Sequence, residues 1–334
     1  MSATIIRICM LLGVLSYSLL QVGCLSTSSS SNLKQTLSHK PIESLTPEVV
    51  ISEQSKGKSH IGQAKFDSEI KGIYISQASL EDRKYLEYLI LKAQQVGINT
   101  FVIDLDVLTN QFEKNILLVR NSGITYIARI AMFPKGGFRE QVQSRAHWVK
   151  KYRLVEAAVR LGAKEVQLDS LYYSPYRRAT REDIFDMARV VDWYKNKMKE
   201  QSIPLQISIL GKTSFGQVSD LGQSIALLAR SVDVVSPMLY PSHFKPYHVH
   251  ASQPYELIYS GIEALKQQFN DDVPFKIYPY IELSNYHFPM SFTQTRNYLT
   301  AQIKAVEDAK ANGWLAWSPN NKYDSLFDLL EHSS

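Results

Sequence analysis

Three acidic residues stand at the ends of short apolar runs. Asp104 closes Thr100-Phe101-Val102-Ile103-Asp104, Asp169 closes Glu165-Val166-Gln167-Leu168-Asp169, and Glu282 follows the run 275–281. Asp106 lies just past Asp104. Carboxyl groups brought to one place from separate segments can divide acid and base work, one giving a proton while the other stays charged. Val166 and Leu168 flank Gln167, so a strand's period of two puts Gln167 and Asp169 on one face. By the same alternation Tyr278, Tyr280 and Glu282 share a face. If that face points inward, Glu282 is a proton donor; a shift of one residue sends it to the helices or to solvent. Asp169 has a competing role as a helix cap or loop anchor.

Other polar and aromatic side chains gather at the same run ends. Arg129, in the run 124–130, can hold Asp104 or Asp169 ionised by depressing its pKa, or serve as a core ion pair. Tyr240 and His243 follow the run 232–236 and can donate hydrogen bonds or a proton. Tyr74, Phe133, Tyr172, Tyr173, Tyr240, Tyr280 and Trp317 offer flat apolar faces. Any one of these rings alone reads as core packing; the signal lies in the set.

Several chemistries are excluded. Gly211-Lys212-Thr213 looks like the end of a phosphate loop, but Gln206 stands where its first glycine belongs. His243, His248 and His250 have no carboxylate among them and lie in a proline-containing loop, so no metal site is expected. No G-x-S-x-G elbow occurs. The two cysteines, Cys9 and Cys24, both lie near the start, which removes disulfides and Cys-ligated metal centres from the rest of the chain. The formal charge of +5 is too mild and too dispersed for nucleic acid. No cofactor is expected.

The elements that must carry these residues alternate. From residue 71 onward, apolar runs near 72–75, 100–104, 124–130, 165–169, 205–210, 232–236, 275–281 and 314–317 are separated by stretches of helical spacing. Helices are expected near 80–95, up to 161, and near 181–200, 221–230, 255–269, 293–312 and 323–330, with a less regular segment around 116–119. The strand starts recur about every 35 residues, which suits a (β/α)8 barrel of ~250 residues. Gly97, Gly123, Gly162 and Gly313 sit just before strands, where glycine ends a helix in the left-handed conformation. The runner-up is an open doubly wound sheet, which would carry a glycine-rich turn after its first strand; Ser76-Gln77-Ala78-Ser79 is not one.

The chain begins differently. Arg7 precedes the apolar run 8–20, which is well short of the ~20 residues that span a bilayer and fits a secretory leader. Leu20-Gln21-Val22-Gly23-Cys24 resembles a bacterial lipobox, with Gly23 and Cys24 in place and Gln21 departing from the pattern. A plain signal peptide with an incidental cysteine and a permanent membrane anchor are the alternatives. The expected organisation is a leader over 1–24, a Ser-rich flexible linker over 25–70 and a barrel over 71–331. The expected location is outside the cytoplasm, on a bacterial membrane through lipidated Cys24, facing the periplasm or the cell surface.

Two long motifs carry a resemblance. Ser236-Pro237-Met238-Leu239-Tyr240-Pro241-Ser242-His243-Phe244, followed by Pro254-Tyr255-Glu256, is one; Gly313-Trp314-Leu315-Ala316-Trp317-Ser318-Pro319-Asn320-Asn321-Lys322-Tyr323 is the other. Together with Lys71-Gly72-Ile73-Tyr74, Val102-Ile103-Asp104, Tyr126-Ile127-Ala128-Arg129-Ile130 and Val166-Gln167-Leu168-Asp169, they resemble a family of bacterial glycoside hydrolases with a TIM-barrel domain, a family defined largely by prediction. The resemblance implies hydrolysis of a polysaccharide or oligosaccharide by paired carboxyl groups. Asp169, Glu282 and Asp104 are the candidate acids. Arg129, Gln167, Tyr172, Tyr240, His243, Tyr280 and Trp317 are the candidate sugar-binding residues. The sequence departs from the family at Tyr172, where an Arg is usual, at Ser208, where an acid is usual, and at Glu282-Leu283, where Gln-Asp is usual. Those losses support an alternative, a carbohydrate-binding or scaffold lipoprotein whose catalytic pair has decayed.

Overall fold

The computed structural model describes residues 69–176, 178–216 and 220–332. The leader, the lipobox at Cys24 and the linker up to residue 68 lie outside the described residues, and β1 begins at Ile70, one residue before the expected start of the barrel. Nine strand segments occur in order: β1 Ile70–Ile75, β2 Thr100–Asp104, β3 Thr125–Ala131, β4 Glu165–Asp169, β5 Leu205–Leu210, β6 Val234–Met238, β7 Lys276–Ile277, β8 Tyr280–Glu282 and β9 Gly313–Trp317. β7 and β8 are two pieces of one strand, interrupted at Tyr278-Pro279, where proline supplies no N–H to a ladder. Each strand pairs in parallel with the next, and β9 pairs with β1, Ile70 opposite Gly313. The sheet is thus a closed barrel of eight parallel strands ringed by helices, a (β/α)8 fold rather than an open doubly wound sheet.

Both faces of the strands are buried, as parallel strands between two apolar layers require. Ile73, Phe101, Ile103, Ala128, Val166, Leu168, Ile207 and Trp314 face outward into the core shared with the helices. Ile70, Val102, Ile127, Val234, Tyr278, Tyr280 and Leu315 fill the barrel interior. This alternation fixes which side chains can reach the barrel mouth: positions in step with Val102, Ile127 and Tyr280 point inward. Gly313 makes closure possible. Its φ is 128°, and an added Cβ would lie 2.1 Å from the Ile70 carbonyl oxygen.

Two connecting segments differ from the sequence expectation. The segment around 116–119 is part of a regular helix, Asn110–Asn121, whose N-cap Thr109 accepts from the Phe112 N–H. Conversely, the helix expected near 221–230 shrinks to Ile225–Leu228 and the 3-10 turn Ala229–Ser231. Gly222, at φ 86°, turns the chain out of helical geometry. Buried Gln223 then bolts neighbouring loops together, accepting from the Leu210 N–H and Thr213 Oγ1 and donating to the Leu171 carbonyl.

Candidate active site

β2, β3 and β4 place three charged side chains at the C-terminal end of the barrel. The register sets Asp104 opposite Arg129 and Arg129 opposite Gln167, so the guanidinium stands between the two carboxyl-bearing strands. Arg129 Nε donates to Asp169 Oδ2 at 2.7 Å, and its Nη1 donates to Asp104 Oδ1. Tyr74 at the end of β1 donates its hydroxyl to Asp104 Oδ2 at 2.5 Å, and its ring centroid lies 5.2 Å from the Arg129 guanidinium carbon. Ser170, at φ 56°, turns its own N–H back onto Asp169 Oδ1. The side chains of Arg129, Asp104 and Asp169 keep 20%, 13% and 7% exposure, so the cluster is enclosed yet open on one side.

With both acids ionised, the cluster carries one net negative charge. Burial raises the Asp104 pKa against the opposing pull of Arg129 and the Tyr74 hydroxyl. Burial also works against the charge on Arg129, but Asp169 and Asp104 outweigh it and keep the guanidinium protonated. Tyr74 is raised by burial and then by Asp104, so it remains a neutral donor.

Beside this cluster the barrel contributes rings and amides. Tyr240 stacks on Trp317 with centroids 5.0 Å apart and planes 21° apart. Tyr280 meets Tyr240 edge-on at 6.5 Å and donates its hydroxyl to Gln167 Oε1 at 2.8 Å. The charges of Asp169 and Arg129 act on the phenols of both Tyr240 and Tyr280. Gln167 Nε2, Gln206 Oε1 and Ser208 Oγ are buried without a hydrogen-bond partner among the described residues, giving the floor beneath Asp169 a polar lining. His243 sits at the rim, edge-on to Tyr240 at 5.2 Å. The structure therefore brings Asp104, Arg129, Asp169, Gln167, Tyr240, Tyr280, Trp317 and His243 to one end of the barrel. Tyr172 is half-buried in the loop after β4, where its carbonyl accepts from the Gly137 N–H at 2.9 Å.

Glu282 shares the inward face of Tyr278 and Tyr280 and is enclosed. β8 ends at Glu282, and its side chain is 1% exposed. Glu282 Oε1 accepts from the Ser242 N–H at 2.9 Å and from the Tyr298 hydroxyl at 2.5 Å, while Oε2 accepts from Ser242 Oγ at 2.5 Å. Burial pushes its pKa up to about 7 against these three donors. Its backbone is held as well. Gln302 accepts from the Glu282 N–H at 3.1 Å and donates to its carbonyl at 2.9 Å, so a side-chain amide continues the ladder where β6 has ended. Leu283 packs into the outer core, so an acid at that position in this chain would not face the mouth.

Other residues that shape the site carried weaker signals. Asn321 accepts from the Ser76 N–H at 2.8 Å and donates to the Tyr74 carbonyl at 3.2 Å, and the Tyr323 hydroxyl donates to that same carbonyl. The end of the second long motif thus fixes Tyr74, which in turn holds Asp104. Ser242 lies within the first long motif without being singled out there, and Tyr298 and Gln302 had no sequence signature, because hydroxyl and amide side chains occur throughout the chain. Among the described residues no group of three or more His, Cys, Asp or Glu side chains is placed to hold a metal ion. No described helix is long and apolar enough to cross a membrane.

A closed (β/α)8 barrel with acids, an arginine and stacked rings at its C-terminal mouth defines a TIM-barrel protein. Residues 138–323 match the model of a family described as "Putative glycosyl hydrolase domain", and the chain belongs to that family. No curated protein matches it in sequence. Among solved structures it is similar to a class V chitinase from Pseudomonas fluorescens Pf-5, with 11% identity over 79% of this chain and 99% of that one and a TM-score of 0.56. It is also similar to the spore cortex-lytic enzyme SleL from Bacillus megaterium QM B1551, with 10% identity, 79% and 74% coverage and a TM-score of 0.55. A third is the chitinase-like agglutinin RobpsCRA from Robinia pseudoacacia, with 12% identity, 79% and 99% coverage and a TM-score of 0.50. At these identities the likeness is one of fold.

Proposed function

We propose that this barrel hydrolyses glycosidic bonds of an extracytoplasmic polysaccharide through the carboxyl pair Asp104 and Asp169. The observation that carries the reading is the single guanidinium of Arg129 joining the two acids beside the Tyr240–Trp317 stack. Two acids whose environments differ can take different roles. Asp104, whose pKa burial raises, transfers its proton to the leaving oxygen as the C1–O bond breaks. The Asp169 carboxylate, held by Arg129 and the Ser170 N–H, faces the carbon that gains positive charge. A water hydroxyl ends on C1, and the remaining proton returns to the pair. Tyr240 and Trp317 offer their faces to the sugar rings. The chitinase and cortex-lytic neighbours favour structural polysaccharides as the substrate class. Full-length protein assayed against glycol chitin, peptidoglycan and a panel of soluble glycans tests this. Asp169→Asn and Asp104→Asn should each lower kcat/KM by roughly 10²–10⁴-fold while leaving the melting temperature close to that of wild type. Full activity in both variants rejects the pair.

A second reading has its own observation. Both carboxylates already share one arginine, and Ser208, not an acid, follows Ile207 on β5, which pairs with Leu168 next to Asp169. A carbohydrate-binding barrel fits these facts, and the agglutinin shares the fold. It is favoured if the wild type binds a glycan that it does not cleave. We further propose that the mature chain begins at a lipidated Cys24 and is exported to a membrane surface, on the strength of Gly23-Cys24 after the short apolar run. Mass spectrometry of the membrane fraction should find a diacylglyceryl-modified N-terminal Cys24; an unmodified N-terminus beyond it removes the lipid anchor.

A further inference from the structure

Glu282 is the acid that the proposed reaction leaves unused, and its surroundings show another task. Its two oxygens take three donors from two directions, the Pro241–His243 turn and the helix Phe292–Asp308. A proton donor must reach the leaving group, and Glu282, at 1% exposure against 13% for the Asp104 side chain, is the less open of the two. Ser242 is saturated in turn. Its N–H and Oγ go to Glu282, and its carbonyl accepts from His287 Nε2 at 3.0 Å. The His287 N–H donates to Asn285 Oδ1, and Asn285 Nδ2 donates to the Tyr298 hydroxyl. The loop after β6 and the loop after β8 are therefore buttoned together around one carboxylate.

Above the button lie four rings in a closed circuit. Tyr240 stacks on Trp317 at 5.0 Å, Trp317 meets Tyr286 at 6.1 Å, Tyr286 stacks on His243 at 6.1 Å, and His243 returns edge-on to Tyr240 at 5.2 Å. Tyr240 and His243 flank Ser242 in the chain, and Tyr286 lies on the other buttoned loop. Tyr286 remains half exposed, so the circuit presents an aromatic face to solvent. We propose that Glu282 is a positioning residue: by clamping Ser242 it fixes the Pro241–His243 turn so that Tyr240 and His243 complete this four-ring platform for the sugar chain. The inference rests on the hydrolase reading for its ligand, and on the geometry alone for the clamp.

Glu282→Gln is nearly isosteric and loosens the clamp, because its amide nitrogen can only donate where a carboxylate oxygen accepted, so the Ser242 hydroxyl must give up its own donation and turn to accept. Ser242→Ala removes the matching hydroxyl from the other side. Both variants should raise KM for glycol chitin about tenfold, with kcat within about twofold of wild type, the signature of lost uniform binding. Both should also shift the Trp317 emission, read as a difference spectrum against Trp317→Phe without ligand. A hundredfold or larger fall in kcat in Glu282→Gln that Ser242→Ala does not share makes Glu282 the proton donor and overturns the proposal. Unchanged KM and unchanged emission in both variants overturn it as well. If Glu282→Gln does not fold, Ser242→Ala decides by the same two readings. If the wild type cleaves no glycan, the hydrolase reading fails, and the ligand-free emission still decides whether the clamp orders the rings.

Discussion

Asp104 and Asp169 hang from strands that do not pair with each other, and Arg129 of the strand between them spans the gap. Their separation and charge state therefore depend on one side chain. Replacing it leaves two enclosed carboxylates side by side with no cation between them, an arrangement that costs about 3–5 kcal/mol when a buried pair loses one partner. Arg129→Met should accordingly lose stability in urea melts at pH 7. Asp104, whose pKa burial raises, then loses the opposing pull of Arg129, so the loss should shrink as the pH is lowered toward 5 and Asp104 takes up a proton. A variant equally unstable at both pH values indicates that Arg129 acts by packing alone. The same logic separates Asp104 and Asp169 from Glu282, whose partners are neutral hydroxyl and amide groups and whose carboxyl needs no cation to be held.

The seventh strand is the element on which the site reading turned. Its interruption at Tyr278-Pro279 frees the short β8 to end beside the Pro241–His243 turn, where only a side chain can satisfy its backbone. Gln302 does so with both ends of its amide, from a position buried in the helix layer. Gln302→Leu keeps the volume and removes both bonds. It should cost about 2–4 kcal/mol, since two buried backbone groups lose their partners. Hydrogen exchange should show faster opening at Glu282 in particular. Protection unchanged at Glu282 makes the amide dispensable. The alternation that puts Tyr278, Tyr280 and Glu282 on one face was readable from sequence, whereas the inward direction of that face was not. Nor was what closes around Glu282, because the deciding contacts come from a turn 40 residues earlier and a helix residue 20 later.

At the scale of the whole molecule, two enclosed glutamates set a pH dependence. Glu165 lies at the start of β4 and is 3% exposed; burial, opposed by Lys276, pushes its pKa up to about 7, as burial does for Glu282. For both, the ordinary value is 4.5, so between about 4.5 and about 7 the folded protein binds more protons than the unfolded chain. Stability contributed this way is present at low pH and is lost as pH rises through about 7. The melting temperature should therefore fall between pH 5 and pH 8. Glu165→Gln, which mimics the protonated form, should flatten part of that fall. A melting temperature that rises over this range removes these two groups as the controlling pair.

The sequence by itself determined the barrel, because eight apolar runs at a steady interval admit one closed parallel arrangement once the glycine-rich phosphate turn of an open sheet is missing. It also determined that Asp104, Arg129 and Asp169 lie at or near the ends of successive strands, since alternation within a strand is a local property. Tertiary structure alone decided what those ends do to one another. Only the register β2–β3–β4 puts one guanidinium on two acids, only Asn321 and Tyr323 from the far end of the chain fix Tyr74 on Asp104, and only the Ser242 turn closes around the Glu282 carboxylate. The physical reason is that strand pattern follows from neighbours in the chain, whereas the partner of a charge is whichever group the closed barrel brings within hydrogen-bonding distance.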